Sequence, residues 1–203
     1  MVILIIILTA IVSIVALNNP QIMDKLRFNA YFIKHNKEWY RFFSYSLVHA
    51  DYIHLFVNMY VLYSFGGIVL TFFKFYFGGK AIINFLLLYI GGIIFATLVD
   101  FNKNKDNIYY NAVGASGAVS AIVFSSIILY PGGKIFLFFI PIGIPSAIFG
   151  ILYLIYSAYM SKRADDNIGH SAHFWGAIFG VVFTIVLKPK LALMFLEQLK
   201  EIF

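Results

Sequence analysis

The stretch that decides the fold is NIYYNAVGASGAVSAIVFSSIILYPGG, residues 107–133, which contains no Asp, Glu, Lys or Arg. A membrane-spanning helix needs about 17–25 mostly apolar residues, so this run can hold one. Five further runs lack these charged residues: 1–23, 52–73, 81–99, 135–161 and 167–187. Because lipid offers an open backbone no hydrogen bonds, and because no run alternates apolar and polar residues as a barrel strand would, each run is predicted to be a helix.

The composition matches that of a protein embedded in lipid. Of the 203 residues, 62% are hydrophobic and 12% are charged, about half the charged fraction of soluble domains, roughly 25%. We therefore predict an all-α integral membrane protein, one domain over 1–203 built as a bundle of six transmembrane helices. The predicted helices cover about 1–17, 52–73, 81–99, 113–130, 135–157 and 171–187.

Four segments need a more specific prediction than a straight transmembrane helix or a short loop. The connection 18–50 is basic and rich in aromatic residues, which favours a folded, interfacial and partly embedded loop over a linker. The fifth helix is predicted to kink at Pro141 and Pro145. The tail 188–203 has apolar residues at near-helical spacing, so we expect an amphipathic helix on the membrane surface. The first run lacks the basic stretch that precedes a signal-peptide core, so it is predicted to be a retained helix.

Several function classes are excluded. The net charge is +6, but the fifteen Lys and Arg are scattered among loops, which indicates contact with anionic lipid and not with nucleic acid. The chain has no Cys, so disulfides and thiolate metal sites are excluded. His54 and His173 have no helical carboxylate partner, and the zinc motif His-Glu-x-x-His is absent. We expect neither a metal nor a cofactor.

Chain direction predicts where the polar residues meet. In a six-helix chain, helices two, four and six run the same way, so their N-terminal ends share one face. Those ends carry His49, His54, Asn58, Ser116, His170 and His173. A histidine inside a membrane span is functional by default, and a serine hydroxyl needs such a base to become a nucleophile. We predict Ser116 as the nucleophile and His173 as the general base.

Blander interpretations stay open for each residue. The segment Gly114-Ala115-Ser116-Gly117 also suits helix packing, and His173 could be a neutral histidine bonded to a carbonyl. Gly176 belongs to a small-residue stripe, with Ala172 and Gly180, that would let helix four approach closely.

The remaining polar residues complete the predicted site. His54 and Asn58 lie four apart on one helical face, where they and the Ser116 backbone N–H could hold an oxyanion; the alternative is a polar pair bonded to a loop. No acid is expected inside a span, so we predict a dyad, with Asp51, Asp165 and Asp166 as solvated loop charges. His49 and His170 are expected to hold water or loop structure.

Four motifs, in this order along the chain, resemble the rhomboid family of intramembrane serine proteases over about 39–187. They are Trp39-Tyr40-Arg41, the segment 47–59 with His49, His54 and Asn58, Gly114-Ala115-Ser116-Gly117, and Ala172-His173-Phe174-Trp175-Gly176. The resemblance implies a compact six-helix bundle in which a recessed Ser116, with His173 as base, cleaves transmembrane segments of membrane proteins. It gives Gly114, Gly117, His49 and Gly176 supporting roles.

The chain departs from the family pattern at two points. Many rhomboids carry an aromatic residue four positions after the nucleophile, against the catalytic histidine, whereas this chain has Ser120. Support for the His173 ring must then come from elsewhere. Many members also carry a glutamate after the glycine pair of helix two, where this chain continues from Gly67 with Ile68, so the usual polar anchor of the first loop is missing.

The resemblance also implies a location, a bacterial cytoplasmic membrane with the catalytic face outward. The loops of that face hold nine Lys and Arg against six on the other side, so the positive-inside rule alone favours the reverse. Two other functions remain: an inactive relative that binds membrane helices, and a transporter or channel. The presence of both Ser116 and His173 favours the protease.

Overall fold

The computed structural model describes residues 1–136, 142–163 and 169–202, and this part of the chain is mostly helical. Its elements in chain order are α1 Val2–Leu17, α2 Pro20–Leu26, α3 Ala30–Asn36, α4 Arg41–Ser44, α5 Tyr52–Phe77, α6 Ala81–Asn104, α7 Ser116–Leu129, β1 Lys134–Phe136, β2 Gly143–Pro145, α8 Ser146–Arg163, α9 His170–Leu187 and α10 Lys190–Ile202. Short 3₁₀ turns occupy Tyr45–Leu47 and Gly78–Lys80.

Five of the long helices, α1, α5, α6, α7 and α9, lie on the predicted runs with shifted ends. Helices α5 and α6 continue past the predicted ends to Phe77 and Asn104, and the added residues include the exposed Lys74 and Lys103 and the buried Asp100. Helix α7 begins at Ser116 and not at 113. The reason lies just before it: Ala112 forms an antiparallel bridge with Phe28, and Gly114 has a φ of +114°.

The fifth helix is predicted over 135–157 with a kink at Pro141 and Pro145, and its predicted start at 135 is wrong. Strands β1 and β2 form an antiparallel hairpin in which Ile135 pairs with Ile144, and α8 begins after it at Ser146. Proline lacks an N–H and its ring clashes with the preceding helical turn, so a helix begins after Pro145 and cannot run through it. The predicted kink at Pro141 lies outside the described residues. The chain is therefore not all-α, since it contains this two-stranded sheet.

Helix α7 lies at the centre of the helical bundle. It packs against α9, α6 and α5, while α1 packs against α5 and α8 against α9. Every residue of α7 from Gly117 to Leu129 is buried. The largest fully buried side chains of the described chain include Phe28, Phe73, Phe85, Ile33, Leu62 and Leu88. This arrangement surrounds the segment after Ser116 with protein on all sides.

The outside of the bundle is strongly apolar. By length and composition, two stretches of the described chain could cross a membrane, residues 52–104 with α5 and α6, and α9; α1 and α7 are shorter apolar helices. Outward-facing apolar side chains on α1 include Ile3, Leu4, Ile7, Leu8 and Ile11. Continuous apolar surfaces of this kind mark contact with a membrane or a partner.

The connection between α1 and α5 is folded, as the aromatic content predicts. Asn19 and Asn29 cap α2 and α3 through their side chains, and Phe28 and Ile33 are fully buried. Trp39 stays about half exposed on the outer side. At the other end of the chain, α10 is helical and amphipathic, with Leu191 buried against the bundle.

Candidate active site

The turn that leads into Ser116 is held by the loop before α5. Gly114 adopts a φ of +114°, which a residue with a side chain rarely adopts, and its N–H donates to the Tyr45 carbonyl at 3.0 Å. The next N–H, of Ala115, donates to His49 Nε2 at 3.3 Å. Ser116 is half-buried and begins α7. As the first residue of a helix, it has an N–H without an intrahelical acceptor.

His49 supports this turn as a neutral ring. It is fully buried, its Nε2 accepts from Ala115, and its Nδ1 lies 3.0 Å from Ser13 Oγ on α1. Because Nε2 is the acceptor, the ring proton of a neutral imidazole belongs on Nδ1, which donates to Ser13. Burial, and then the neighbouring His54, lower the pKa of His49 to about 3. The ring therefore stays uncharged near neutrality.

The helix that carries His173 lies directly against the start of α7. A Cβ added to Gly117 would lie 3.3 Å from the Ala172 carbonyl oxygen, and one added to Gly176 would overlap the Gly117 carbonyl. Gly180 meets the Ala121 backbone in the same way. The small-residue stripe of α9 therefore packs on α7, as its spacing predicts. This seam brings the half-buried His173 to the same end of the helix pair as Ser116.

His54 and Asn58 lie on the first turns of α5, next to the same turn. A Cβ on Gly114 would lie 2.7 Å from His54 Cε1, so the imidazole covers the backbone two residues before Ser116. Asn58 is buried, and its Nδ2 donates to the His54 carbonyl at 2.9 Å. An amide has a second N–H, which this bond leaves available. Asp51 caps α5 by accepting from the His54 N–H at 2.7 Å.

Two predicted details concern the surroundings of the site. His170 is buried and its ring meets Tyr156 edge-on at 5.4 Å. Asp165 and Asp166 lie outside the described residues. Within 1–136, 142–163 and 169–202, no group of three or more His, Asp or Glu side chains is placed to bind a metal ion.

A comparison with protein families identifies this arrangement. The family model described as the Rhomboid domain matches residues 36–190. The chain belongs to the rhomboid family. The family implies intramembrane serine protease activity, and with the apolar helices it makes the chain a membrane protein. No curated protein matches the chain.

This rhomboid has an aromatic residue beside His173 that comes from another helix. The Tyr153 ring, on α8, stacks on the His173 imidazole with a centroid distance of 6.3 Å and an interplanar angle of 28°. Its hydroxyl lies 2.9 Å from Ser120 Oγ. Ser120 is the position where many rhomboids carry an aromatic residue. Sequence reasoning missed Tyr153 because no local pattern links residues of different helices.

One acid of this rhomboid lies in a long helix, α6, and not in a loop or the tail, where all nine Asp and Glu are expected. Asp100 is buried near the end of α6, with the hydroxyl groups of Ser171 and Tyr110 near its carboxylate. It escaped notice because it directly follows the charge-free run 81–99. Asp100 lies four residues after Ala96, hence on the helix face that packs on Gly117. The contact ties the start of α9 to α6.

The first loop of this rhomboid has its own polar anchor in place of the absent glutamate. Arg41, from the Trp39-Tyr40-Arg41 motif, is buried, and its Nη1 donates to the carbonyls of Asp24 and Arg27 at 2.7 and 2.8 Å. Its Nε donates to Glu38. These bonds close the loop on itself, so it needs no acid from α5.

Proposed function

We propose that this chain is an intramembrane serine endopeptidase that cleaves transmembrane segments of membrane proteins with a Ser116–His173 dyad. The observation that best supports the pairing is the seam between α7 and α9, where Gly117 meets the Ala172 carbonyl. Each of these contact residues is the chain neighbour of a dyad member. The family match supports the reaction class.

We further propose that α1 and α5–α9 form a single bundle of six transmembrane helices over 1–203. Helix α7 has 14 residues, about 21 Å at roughly 1.5 Å per residue, which is less than the hydrocarbon core of about 30 Å. A helix of this length that reaches one surface begins roughly 9 Å below the other. Ser116, its first residue, is thus recessed, where a substrate helix can meet it inside the membrane.

The chemistry follows from the residue types. His173 takes the proton from Ser116 Oγ as this oxygen attacks the scissile carbonyl carbon, and then gives it to the departing amine. Water hydrolyses the acyl ester with His173 again as base. Hydrogen bonds of the substrate helix must open first, so we expect cleavage near small or helix-destabilising residues.

The oxyanion of the tetrahedral intermediate would lie near His54, Asn58 and the Ser116 N–H. His54 against Gly114 and the second N–H of Asn58 support this assignment. The Ser116 N–H adds the positive end of the α7 dipole. Loss of one such donor typically lowers kcat by about 10²–10³, so His54→Ala and Asn58→Ala should each reduce cleavage by this order.

The test measures cleavage of a single-pass model substrate in proteoliposomes. Ser116→Ala and His173→Ala should each lose at least about 10³-fold in rate. Ser64→Ala, whose hydroxyl bonds its own helix, and His35→Ala, at an exposed position on α3, are matched controls that should keep full rate. Equal cleavage by wild type and both dyad variants would contradict the dyad.

A second measurement separates the protease from an inactive relative. A serine-reactive phosphonate should label wild type and leave Ser116→Ala unlabelled. Folded wild type that neither cleaves nor labels would instead favour a relative that binds membrane helices. No metal or cofactor is added in either assay.

We place the catalytic face toward the outside of a bacterial cytoplasmic membrane. The chain has no Cys, so single cysteines report each side without background. Tyr109→Cys precedes α7 at a strongly exposed position, and Tyr130→Cys follows α7 at a half-exposed one. An impermeant maleimide on intact cells should label the first and not the second; the reverse result would invert the topology.

A further inference from the structure

Tyr153 lies on the side of α8 that faces the other helices. Most of α8 faces outward, with Ile151, Leu152 and Ile155 each more than half exposed. Tyr153 instead turns inward and packs between Phe124 of α7, at 5.6 Å between ring centroids, and Phe149, at 5.7 Å. The Tyr153 ring therefore reaches from the outer helix to the helices that carry the proposed dyad.

The ring contacts both of these helices at once. Its hydroxyl is 2.9 Å from Ser120 Oγ, one helical turn after Ser116, and its face stacks on the His173 imidazole. Stacked rings 4.5–7 Å apart attract each other beyond simple burial. The hydrogen bond fixes the ring on α7, and the stacking fixes the imidazole on the ring. Through Tyr153, the orientation of the His173 ring depends on α7, the helix that carries Ser116.

Two small residues make this arrangement possible. Ser120 leaves room on α7 for the phenol and supplies its partner. Gly150, one turn before Tyr153, lets α8 approach α7: a Cβ there would lie 3.1 Å from Ile127 Cδ1 and 3.5 Å from Phe124. A larger side chain at either position would hold the Tyr153 ring away from α7.

We propose that Tyr153 is a positioning residue that holds the His173 ring toward Ser116, and that Ser120 holds Tyr153. The inference rests on the proposed function, since it concerns the geometry of that dyad. Imidazole rotates about two side-chain bonds, and proton transfer needs it within hydrogen-bond reach of the serine hydroxyl. Because the ring comes from α8, the readiness of His173 depends on how α8 docks on α7 and α9.

The kinetic test separates positioning from substrate binding. Tyr153→Leu should lower kcat by roughly 10- to 100-fold, as small misplacements of reacting groups do, with KM changed less than about 2-fold. Tyr159→Leu, on the exposed side of the same helix, is the matched control and should keep both constants. If Tyr153→Leu changes KM alone, or matches Tyr159→Leu, the inference is overturned.

Finer variants test the link through Ser120. Tyr153→Phe keeps the ring and loses the hydrogen bond, so it should lower kcat by about 2- to 10-fold, and Ser120→Ala should do the same. The double variant should fall no further than either alone, because both remove one interaction. Additive losses would contradict the link.

Exchanging the residues at 120 and 153 tests whether an aromatic ring on α7 can replace the ring that α8 supplies. Ser120→Tyr combined with Tyr153→Ser returns an aromatic ring to α7 and should recover more activity than Tyr153→Ser alone. Folded protein in which the exchange recovers nothing would count against a positioning role for the ring.

A spectroscopic readout needs no activity. In protein with isotope-labelled histidine, Tyr153→Leu should shift the His173 ring signals through loss of the ring current, and Tyr159→Leu should not. An unshifted His173 signal overturns the inference even where wild type cleaves. Loss of cleavage in wild type with the shift present would refute the proposed function and leave the contact standing.

Discussion

Helices α7 and α8 are neighbours in the chain and contrast in how they are held. All residues of α7 after Ser116 are buried, whereas α8 buries Ser146, Ala147, Gly150 and Ser157. The seam of α7 with α9 is made by glycines against backbone, and its contact with α8 is made by side chains such as Phe124 and Tyr153. Backbone contacts admit no substitution, while side chains can move. The proposed nucleophile therefore lies on the rigid partner, and the ring beside the proposed base comes from the adaptable one.

The substitution Gly176→Ala tests the rigid contact between α7 and α9 most directly. The added methyl group would overlap the Gly117 carbonyl, which is backbone and cannot turn aside. We expect a loss of at least about 4 kcal/mol in the free energy of unfolding, or no folded protein. Denaturation in mixed micelles measures it. Gly67→Ala, where a Cβ meets nothing within 4 Å, is the control and should not destabilise; similar losses in both variants would contradict the seam.

Acid should weaken the attachment of the turn before α7 through His49. Its pKa is about 3 in the folded protein and about 6.5 when unfolded. The unfolded state therefore binds more protons between these values, so stability is full above about pH 6.5 and falls as the pH drops toward 3. By pH 4 the loss is about 3 kcal/mol, at about 1.36 kcal/mol per pH unit.

Unfolding measured from pH 7 to pH 4 in wild type and His49→Gln checks this dependence. The variant should show a smaller slope with pH, and His35→Gln, at an exposed position, should keep the wild-type slope. If the unfolding free energies of wild type and His49→Gln fell in parallel between pH 7 and pH 4, another group would be responsible for the loss of stability in acid.

Asp100→Asn tests the tie between α6 and the start of α9. The carboxylate is buried with the Ser171 and Tyr110 hydroxyl groups near it, and an amide nitrogen cannot accept a hydrogen bond from either hydroxyl. We expect a loss of about 1.5–3 kcal/mol in the free energy of unfolding. Asp106→Asn removes an exposed ion pair with Lys34 and should cost less than about 1 kcal/mol. Equal losses of unfolding free energy in Asp100→Asn and Asp106→Asn would mean that the buried carboxylate contributes no more to stability than the exposed one.

The smallest effect is expected on the α8 side, for Gly150→Ala. The added Cβ would lie 3.1 Å from Ile127 Cδ1, the end of a flexible side chain that can turn. The higher helix propensity of Ala, by about 0.8–1.0 kcal/mol, offsets the crowding, so stability should change by less than about 1 kcal/mol. Thermal unfolding of Gly150→Ala and Gly176→Ala, measured side by side, compares the two contacts of α7. A loss of stability in Gly150→Ala as large as that in Gly176→Ala would show that both contacts are rigid.

Much of the helix plan could be predicted because long charge-free runs constrain the backbone locally. The misses lie where two local tendencies compete. Residues 135–157 are apolar enough for a helix, yet the hairpin and Pro145 delay α8 to Ser146. Similarly, α6 extends past residue 99 and includes the buried Asp100. A single acid near a helix end does not terminate the helix when polar groups lie near its carboxylate.

The candidate site divides in the same way. His173, His54 and Asn58 are recognisable because each carries chemistry that an apolar span does not otherwise contain, and Ser116 is recognisable by its Gly-x-Ser-Gly segment. Tyr153 and Ser120 carry no such mark, since aromatic and small residues are common in this chain. Their significance is a contact between helices, at 2.9 Å between hydroxyl oxygens.

The sequence by itself determined the apolar helices, the end of the bundle where the polar residues gather and the membership in the rhomboid family, because hydropathy and motifs are properties of neighbouring residues. Tertiary structure alone decided which ring lies beside His173, that His49 is a neutral support, and that Asp100 is buried. These depend on how closely helices approach across glycines, and that distance is set by packing of residues far apart in the chain.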